Sequence, residues 1–299
     1  KYKSAKGRLF ASLDCHFRKY INGKQVSTLS IVNRDNEHAD YFLKFPADKH
    51  VAFGLKAGSD LVAENISSTP AGVKFRVNGH NYELSILGNF NAINALPAII
   101  IGENAGLPLE TIGQGLKQLS LIPGRMELIN EGQDYTVIID YAHEKISMNA
   151  VLDAGCDMVK ASGGKVIVLL GAEGGGRDKT KRPLMGEATA KKADYVVVSN
   201  VDPYEDDPTE IAEDIAKAAE SYGKIRNQNL FVIEDRRQGI RKCLELAKTN
   251  DIVIITGKGA EQSIVISGVS RPWDDRVITR EELKKKLLLQ FQRSYYLEK

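Results

Sequence analysis

From Met126 onward, runs rich in β-branched residues, centred near Val137, Val166, Val197, Val232 and Val253, alternate strictly with stretches long enough for helices. Continuous apolar strands separated by helices bury both faces of a sheet, which requires parallel strands joined by right-handed crossovers. The spacing predicts a doubly wound α/β domain. The preceding part reads differently. Tyr2, Ala5, Leu9, Phe10 and Leu13 fall near the helical period and predict a helix over residues 2–13. A strand over 27–32, a short helix around 39–45 and a strand near 50–55 follow. Three strands of more antiparallel style come next, over 61–66, 72–77 and 82–86, with Asn78-Gly79 as a hairpin turn between the last two. Helices over 91–106 and after Pro108 close this half. The pattern changes at Leu121-Ile122-Pro123-Gly124, a Pro-Gly junction that reads equally as a hinge or as a simple turn. Two domains are therefore expected, residues 1–122 and 123–299.

With 41 Lys and Arg against 39 Asp and Glu, the net charge of +2 argues against a dedicated nucleic-acid or membrane-surface binder. The longest apolar runs, Val166 to Leu170 and Ile252 to Ile255, fall far short of the roughly 20 residues that cross a bilayer. Cys15, Cys156 and Cys243 are widely separated and show no CxxC spacing, so neither a disulfide framework nor a zinc site is indicated. They are expected to be buried or inert thiols in a reducing cytoplasm. The chain opens at Lys1 without an initiator Met or a signal-peptide pattern, and reads as a piece of something longer.

Ligands of an open parallel sheet collect at the carboxyl ends of its strands. Four such ends are unusual here: Asp140-Tyr141-Ala142-His143, Gly171 to Asp178, Asp202 to Pro208, and Gly257-Lys258-Gly259-Ala260-Glu261. All four are expected to converge on one rim. The glycines before Arg177 leave backbone N–H groups open to an anion, and Arg177, Lys179, Lys181 and Arg182 add cationic donors suited to carboxylate or phosphate. A flexible loop with solvated charges explains the same residues equally well. No GxxxxGK[ST] occurs in these 299 residues, and Gly257-Lys258-Gly259 lacks the third glycine of a dinucleotide fingerprint. His143 reads as a general base or as a hydrogen-bonded structural residue, and Asp140 as a hydroxyl ligand. In the acidic run, Asp206 and Asp207 fit a helix start, while Asp202, nearer the strand end, is the better ligand for an ammonium.

Together these segments resemble the Mur ligase family of peptidoglycan synthesis, and within it most closely the UDP-N-acetylmuramyl-tripeptide synthetases. The resemblance runs through Tyr2-Lys3-Ser4-Ala5-Lys6, Gly88-Asn89-Phe90-Asn91-Ala92-Ile93-Asn94, Gly124-Arg125-Met126-Glu127, Asp140-Tyr141-Ala142-His143, Gly174 to Pro183, Asp202-Pro203, Gly257 to Glu261 and Asp274-Asp275-Arg276. It implies an α/β fold: the distal half of a Mur ligase central ATPase domain over residues 1–122, then a complete Rossmann-like Mur ligase C-terminal domain over 123–299. The activity implied is ATP-driven amide formation. A carboxylate of UDP-N-acetylmuramoyl-dipeptide takes the γ-phosphoryl group of ATP, and the amine of a free amino acid attacks the acyl phosphate. ATP and Mg²⁺ are the implied cofactors, and a cytoplasmic monomer without nucleic-acid or membrane partners is expected.

By residue, the resemblance implies that Lys6, as its carbamate, helps hold magnesium, and that Asn91 and Asn94, which otherwise read as helix caps, contact the base. Arg125 would reach ATP on closure, with Asp140 and His143 on the ribose side. Arg177, Asp202, Tyr204, Gly257 and Glu261 fall on the pocket for the incoming amino acid. The sequence departs from the family in three places. Tyr204 replaces the arginine that marks diaminopimelate-specific enzymes, Ala260 replaces a histidine, and Lys145 stands where a proline is usual. A cyanophycin or folylpolyglutamate synthetase-like ligase and a truncated, non-catalytic binding module are the competing readings. The 299 residues alone are expected to be inactive and to bind ATP poorly.

Overall fold

The computed structural model describes residues 2–14, 18–21, 23–69 and 71–297; Cys15 lies outside them. The chain divides into two compact units, Lys1–Ser120 and Leu121–Lys299.

The first unit begins with helix α1 (Tyr2–Ala11) and a small hairpin, β1 (Tyr20–Ile21) and β2 (Lys24–Gln25). Strands β3 (Leu29–Asn33), β4 (Lys49–Gly54) and β5 (Leu61–Val62) form a parallel sheet, with α2 (Ala39–Leu43) between the first two. Strands β6 (Glu64–Thr69), β7 (Gly72–Val77) and β8 (His80–Leu84) form an antiparallel one, followed by α3 (Phe90–Asn104) and α4 (Leu109–Gln118). The single strand expected over 61–66 is divided between the two sheets. Leu61 and Val62 pair with β4, Glu64 pairs with Arg76 on β7, and the left-handed Asn65 (φ 52°) produces a register shift where the chain changes sheet. Asn78 and Gly79 turn the next hairpin with φ of 47° and 83°, the positive pair that a type I′ turn requires.

Helix α1 forms where expected but does not bury the expected face. Tyr2 and Leu9 are 76% and 72% exposed. The helix instead approaches α2 at Gly7, where a Cβ would stand 2.5 Å from the Tyr41 hydroxyl, and lays Phe10 against Phe42 with ring centroids 4.8 Å apart. Close approach at a residue without a side chain, which an apolar count cannot register, selects the face.

The second unit contains β9 (Glu127–Leu128), β10 (Thr136–Ile139), α5 (Lys145–Val159), β11 (Val166–Leu170), α6 (Lys181–Lys192), β12 (Tyr195–Val198), α7 (Pro208–Ser221), β13 (Leu230–Val232), α8 (Arg236–Leu246) and β14 (Ile252–Ile255). The hairpin β15 (Ser263–Ile266) and β16 (Val269–Pro272) and helix α9 (Asp275–Leu297) complete it. The sheet order is β13-β12-β11-β14-β10-β9, parallel except for β9. The alternating pattern is realised, with β9 added at one edge because two residues are too few to show a period.

The order dictates where a ligand can sit. The chain steps outward from β10 through β11 and β12 to β13, then returns to fill the slot between β10 and β11 with β14. Right-handed crossovers therefore put α8 on the opposite face from α5, α6 and α7. Consistent with this, α5 packs on α6 and α6 on α7, whereas α8 packs on α9. The chain leaves β14 for the face away from that taken by both neighbours, and this reversal opens a crevice at the carboxyl ends. Arg236, with its side chain at 0% exposure, pins this end of the sheet. It donates to Asp275 at 2.8 and 2.6 Å and to the carbonyls of Asn200 at 3.0 Å and Thr256 at 2.7 Å.

Cys243 is buried and Cys156 half-buried; both are free, and burial pushes both thiols upward, leaving them protonated. Among the described residues, no helix is long and apolar enough to cross a membrane.

Candidate active site

The second unit begins with a tight turn. Arg125 N–H donates to the Ile122 carbonyl at 3.0 Å, with Pro123 and a left-handed Gly124 (φ 66°) as the central residues, the arrangement of a type II turn. Gly124 lies directly against the loop after β14, since a Cβ on it would stand 2.1 Å from Ala260 N. The turn thus delivers Arg125 beside that loop. Its guanidinium lies 4.4 Å from the centroid of the Tyr141 ring, in the loop after β10.

From Tyr141 a continuous chain of polar contacts crosses the rim. The Tyr141 hydroxyl donates to Glu261 Oε1 at 3.0 Å. Glu261 Oε2 lies 2.8 Å from Lys258 Nζ, which also donates to Asp202 Oδ2 at 2.6 Å. Asp202 Oδ1 accepts the Val265 N–H at 2.7 Å, and the Asp202 carbonyl accepts the Gly174 N–H at 2.8 Å. The loop after β12 is thereby tied to the loop after β11 and to the hairpin. Tyr204 adopts φ 55°, an outlier for a bulky residue, and is clamped by backbone bonds to Val265 and Gly268. A Cβ on Gly175 would fall 2.8 Å from the Tyr204 ring. The Tyr204 hydroxyl hydrogen-bonds Arg177, and Glu173 lies 3.6 Å from the same guanidinium; both contacts stabilise its charge. Lys181 stands 3.5 Å from Glu173.

The charges within this web are strongly placed. Lys258 is 1% and Asp202 5% exposed, so the pair is desolvated, a cost offset only because the ammonium meets two carboxylates and Asp202 a further donor. Burial, reinforced by the bond to Glu261, pushes the Tyr141 phenol up to about 12, so it remains a donor at physiological pH. Burial raises the Asp140 carboxyl, against N–H donors from Met126 at 2.9 Å and Ala142 at 2.7 Å. His143 Nδ1–H donates to the Tyr141 carbonyl at 2.8 Å, which fixes the orientation of the ring.

The structure therefore brings Arg125, Asp140, His143, Arg177, Asp202, Tyr204, Gly257 and Glu261 to the carboxyl rim of one sheet. Lys6, Asn91 and Asn94 belong to the first unit. Asn91, 7% exposed, donates to the Leu87 carbonyl at 2.6 Å and accepts from Asn94 at 3.0 Å. The cap of α3 is Asn89, so neither of the two serves as the helix cap. Lys6 is exposed, with the Tyr2 ring 5.4 Å from Nζ. Among the described residues no group of three or more His, Cys, Asp or Glu is arranged to hold a metal ion.

One expectation is corrected. Arg182 is not a ligand donor: it is 1% exposed and donates to Asp214 at 2.9 Å, joining α6 to α7. Lys179 pairs with Glu210 at 3.1 Å on the surface. Asp207 caps α7 by accepting the Thr209 N–H at 2.8 Å, in keeping with a helix start. The residues without an assigned role in the sequence reading are Lys258 and Tyr141. A lysine between two glycines directly after a wholly apolar strand, with a glutamate three residues on, is the signal that marks Lys258.

Two family models match the chain: "Mur ligase middle domain" over residues 1–102 and "Mur ligase, glutamate ligase domain" over residues 124–259. The chain belongs to the Mur ligase family. It is 34% identical over 290 residues to the UDP-N-acetylmuramoyl-L-alanyl-D-glutamate--2,6-diaminopimelate ligase of Geobacillus thermodenitrificans, covering 96% of this chain and 57% of that one. It is 33% identical over 291 residues to the enzyme of the same name from Bacillus cereus, covering 96% and 56%. A solved structure of a UDP-N-acetylmuramoyl-L-alanyl-D-glutamate--2,6-diaminopimelate ligase superposes with a TM-score of 0.54 at 30% identity, covering 95% of this chain and 56% of that one. This Mur ligase chain thus spans little more than half the length of the relatives it matches. The rim residues from Arg125 to Gly257 lie in the stretch that matches the glutamate ligase domain, and Glu261 lies two residues beyond its end at Gly259.

Proposed function

We propose that the protein carrying this chain is an ATP-dependent ligase that joins a diamino acid to UDP-N-acetylmuramoyl-dipeptide in cytoplasmic peptidoglycan synthesis. The observation that carries the reading is the convergence of four strand-end loops on one rim that presents a guanidinium, Arg177, and a half-exposed carboxylate, Glu261, fixed in one network. A zwitterion needs both signs, held apart and fixed in advance.

In this reading Arg177 receives the carboxylate of the incoming amino acid, and Glu261, backed by Asp202 and Lys258, receives an ammonium. Gly257 and Tyr204 shape the floor and wall between them. Arg125, Asp140 and His143 serve the nucleotide side. A carboxylate oxygen of the dipeptide attacks the γ-phosphorus of ATP and ADP departs. The amine then attacks the acyl carbon, phosphate leaves with the C–O bond electrons, and the nitrogen loses a proton. Fixed cations stabilise the charge that develops on the transferred oxygens. Lys6 enters as a lysine whose carbamate, unlike the free ammonium, attracts magnesium.

The test is phosphate release by the full-length protein. Release that requires both UDP-N-acetylmuramoyl-dipeptide and a diamino acid supports the assignment. Release that proceeds without either, or with a folate or a polyaspartate primer instead, contradicts it.

A further inference from the structure

The hydroxyl and the ring of Tyr141 do separate work. The hydroxyl donates to Glu261 Oε1 at 3.0 Å, and the ring lies 4.4 Å beneath the Arg125 guanidinium. The ring has little room to move. A Cβ on Gly259 would stand 2.9 Å from Tyr141 Cβ and 3.1 Å from its ring, and the His143 ring meets its edge at 4.8 Å. The Tyr141 carbonyl, in turn, holds His143 Nδ1–H at 2.8 Å. One side chain therefore touches the group assigned to the incoming ammonium and two groups assigned to the nucleotide.

Glu261 has two anchors of unequal freedom. Lys258 is buried and shared with Asp202, so its ammonium is committed to the floor of the network. The direction of the other oxygen is set by Tyr141 alone among the described residues. A half-exposed carboxylate with one anchor swings about it, whereas two anchors fix its plane and the lone pairs it shows to an amine.

Resting on the ligase reading above, we propose that Tyr141 is a positioning residue that couples the two ends of the site. Its hydroxyl orients Glu261 for the ammonium of the acceptor, and its ring supports Arg125 for the nucleotide. The two functions are separable by substitution because they use different atoms.

The experiment compares Tyr141→Phe and Tyr141→Leu in the full-length protein. Phenylalanine keeps the ring and loses the hydroxyl. It should raise KM for the diamino acid on the order of tenfold, the weight of a hydrogen bond to a charged partner, and leave KM for ATP and kcat nearly unchanged. Leucine loses both. It should add a rise in KM for ATP of roughly two- to fivefold, the weight of an exposed cation–π contact. In the double variant Tyr141→Phe/Glu261→Gln, the effects on the diamino-acid KM should fall well short of multiplying. A wild-type diamino-acid KM in Tyr141→Phe, fully multiplying effects, or equal rises in both KM values alongside a lower melting temperature would overturn the proposal. Calorimetric Kd values for meso-diaminopimelate, L-lysine and ATP report the same split without turnover. Phosphate release without the split rejects the role of Tyr141 and leaves the ligase reading standing; the split in Kd without acceptor-dependent release does the reverse.

Discussion

Lys6 stands exposed on α1, with the Tyr2 ring 5.4 Å from its ammonium; Lys258 stands after β14, 1% exposed, with carboxylates at 2.6 and 2.8 Å. Among the described residues, Lys6 has no ion pair. The second unit orders its charged groups around Lys258, whereas Lys6 in the first unit stands exposed. Preorganisation is concentrated where the sheet topology reverses, because there several loops have one another as partners.

The sharpest way to break this contrast is to remove each ammonium. Lys258→Met leaves Asp202 buried without its counter-ion, a loss expected to cost about 3–5 kcal/mol in denaturant unfolding of the second unit. Lys6→Met should stay within about 0.5 kcal/mol. Equal costs would erase the difference between the regions. Next in size is Gly124→Ala. Its positive φ and the 2.1 Å approach to Ala260 N predict a loss of about 1–3 kcal/mol, together with weaker amino-acid binding as the last loop is displaced. An alanine variant that binds and melts like wild type would show that the turn and the loop do not depend on each other.

How far the sequence exposed this arrangement can be argued residue by residue. The doubly wound sheet was legible because runs such as Val166–Leu170 carry the burial of both faces in their composition. Convergence of the four loops followed from topology alone. Hidden from a linear reading was the difference between Arg177 and Arg182, five positions apart. Both look like free cations, yet the second lies on the inner side of α6 against Asp214. The partner of Lys258 at Asp202 lies 56 residues away in the chain, and no local period reports such a pairing. The first unit was less legible where the backbone decides: the sheet change at Asn65 and the docking of α1 through Gly7 depend on φ and on a missing Cβ.

Acid titration sharpens the comparison further. Burial would raise the Glu282 carboxyl, but hydrogen bonds from Arg241, Lys285 and Arg237 outweigh it and hold it at about 2, below the ordinary 4.5. A lowered carboxyl stabilises the folded state fully above pH 4.5, and that stability is lost as the pH falls toward 2. Asp140, raised above 3.8 by burial, has the opposite sign: its contribution declines as the pH rises through its folded value. Stability measured from pH 2 to 5 should therefore fall with acid in the wild type and fall less steeply in Glu282→Gln; identical slopes would deny the clamp its charge. The smallest effect is expected at Asp207→Ala, about 1 kcal/mol from loss of the α7 cap, with amino-acid affinity unchanged. A change in affinity there would contradict a purely capping role for Asp207.

The most direct measurement of the central claim is backbone amide NMR on the 299-residue chain during titration with meso-diaminopimelate and with L-lysine. The account predicts that at least one of them shifts amides of Tyr141, Arg177, Asp202, Tyr204 and Glu261 together, with a single affinity. Shifts that scatter over unconnected surfaces, or that leave these five residues untouched, would contradict it.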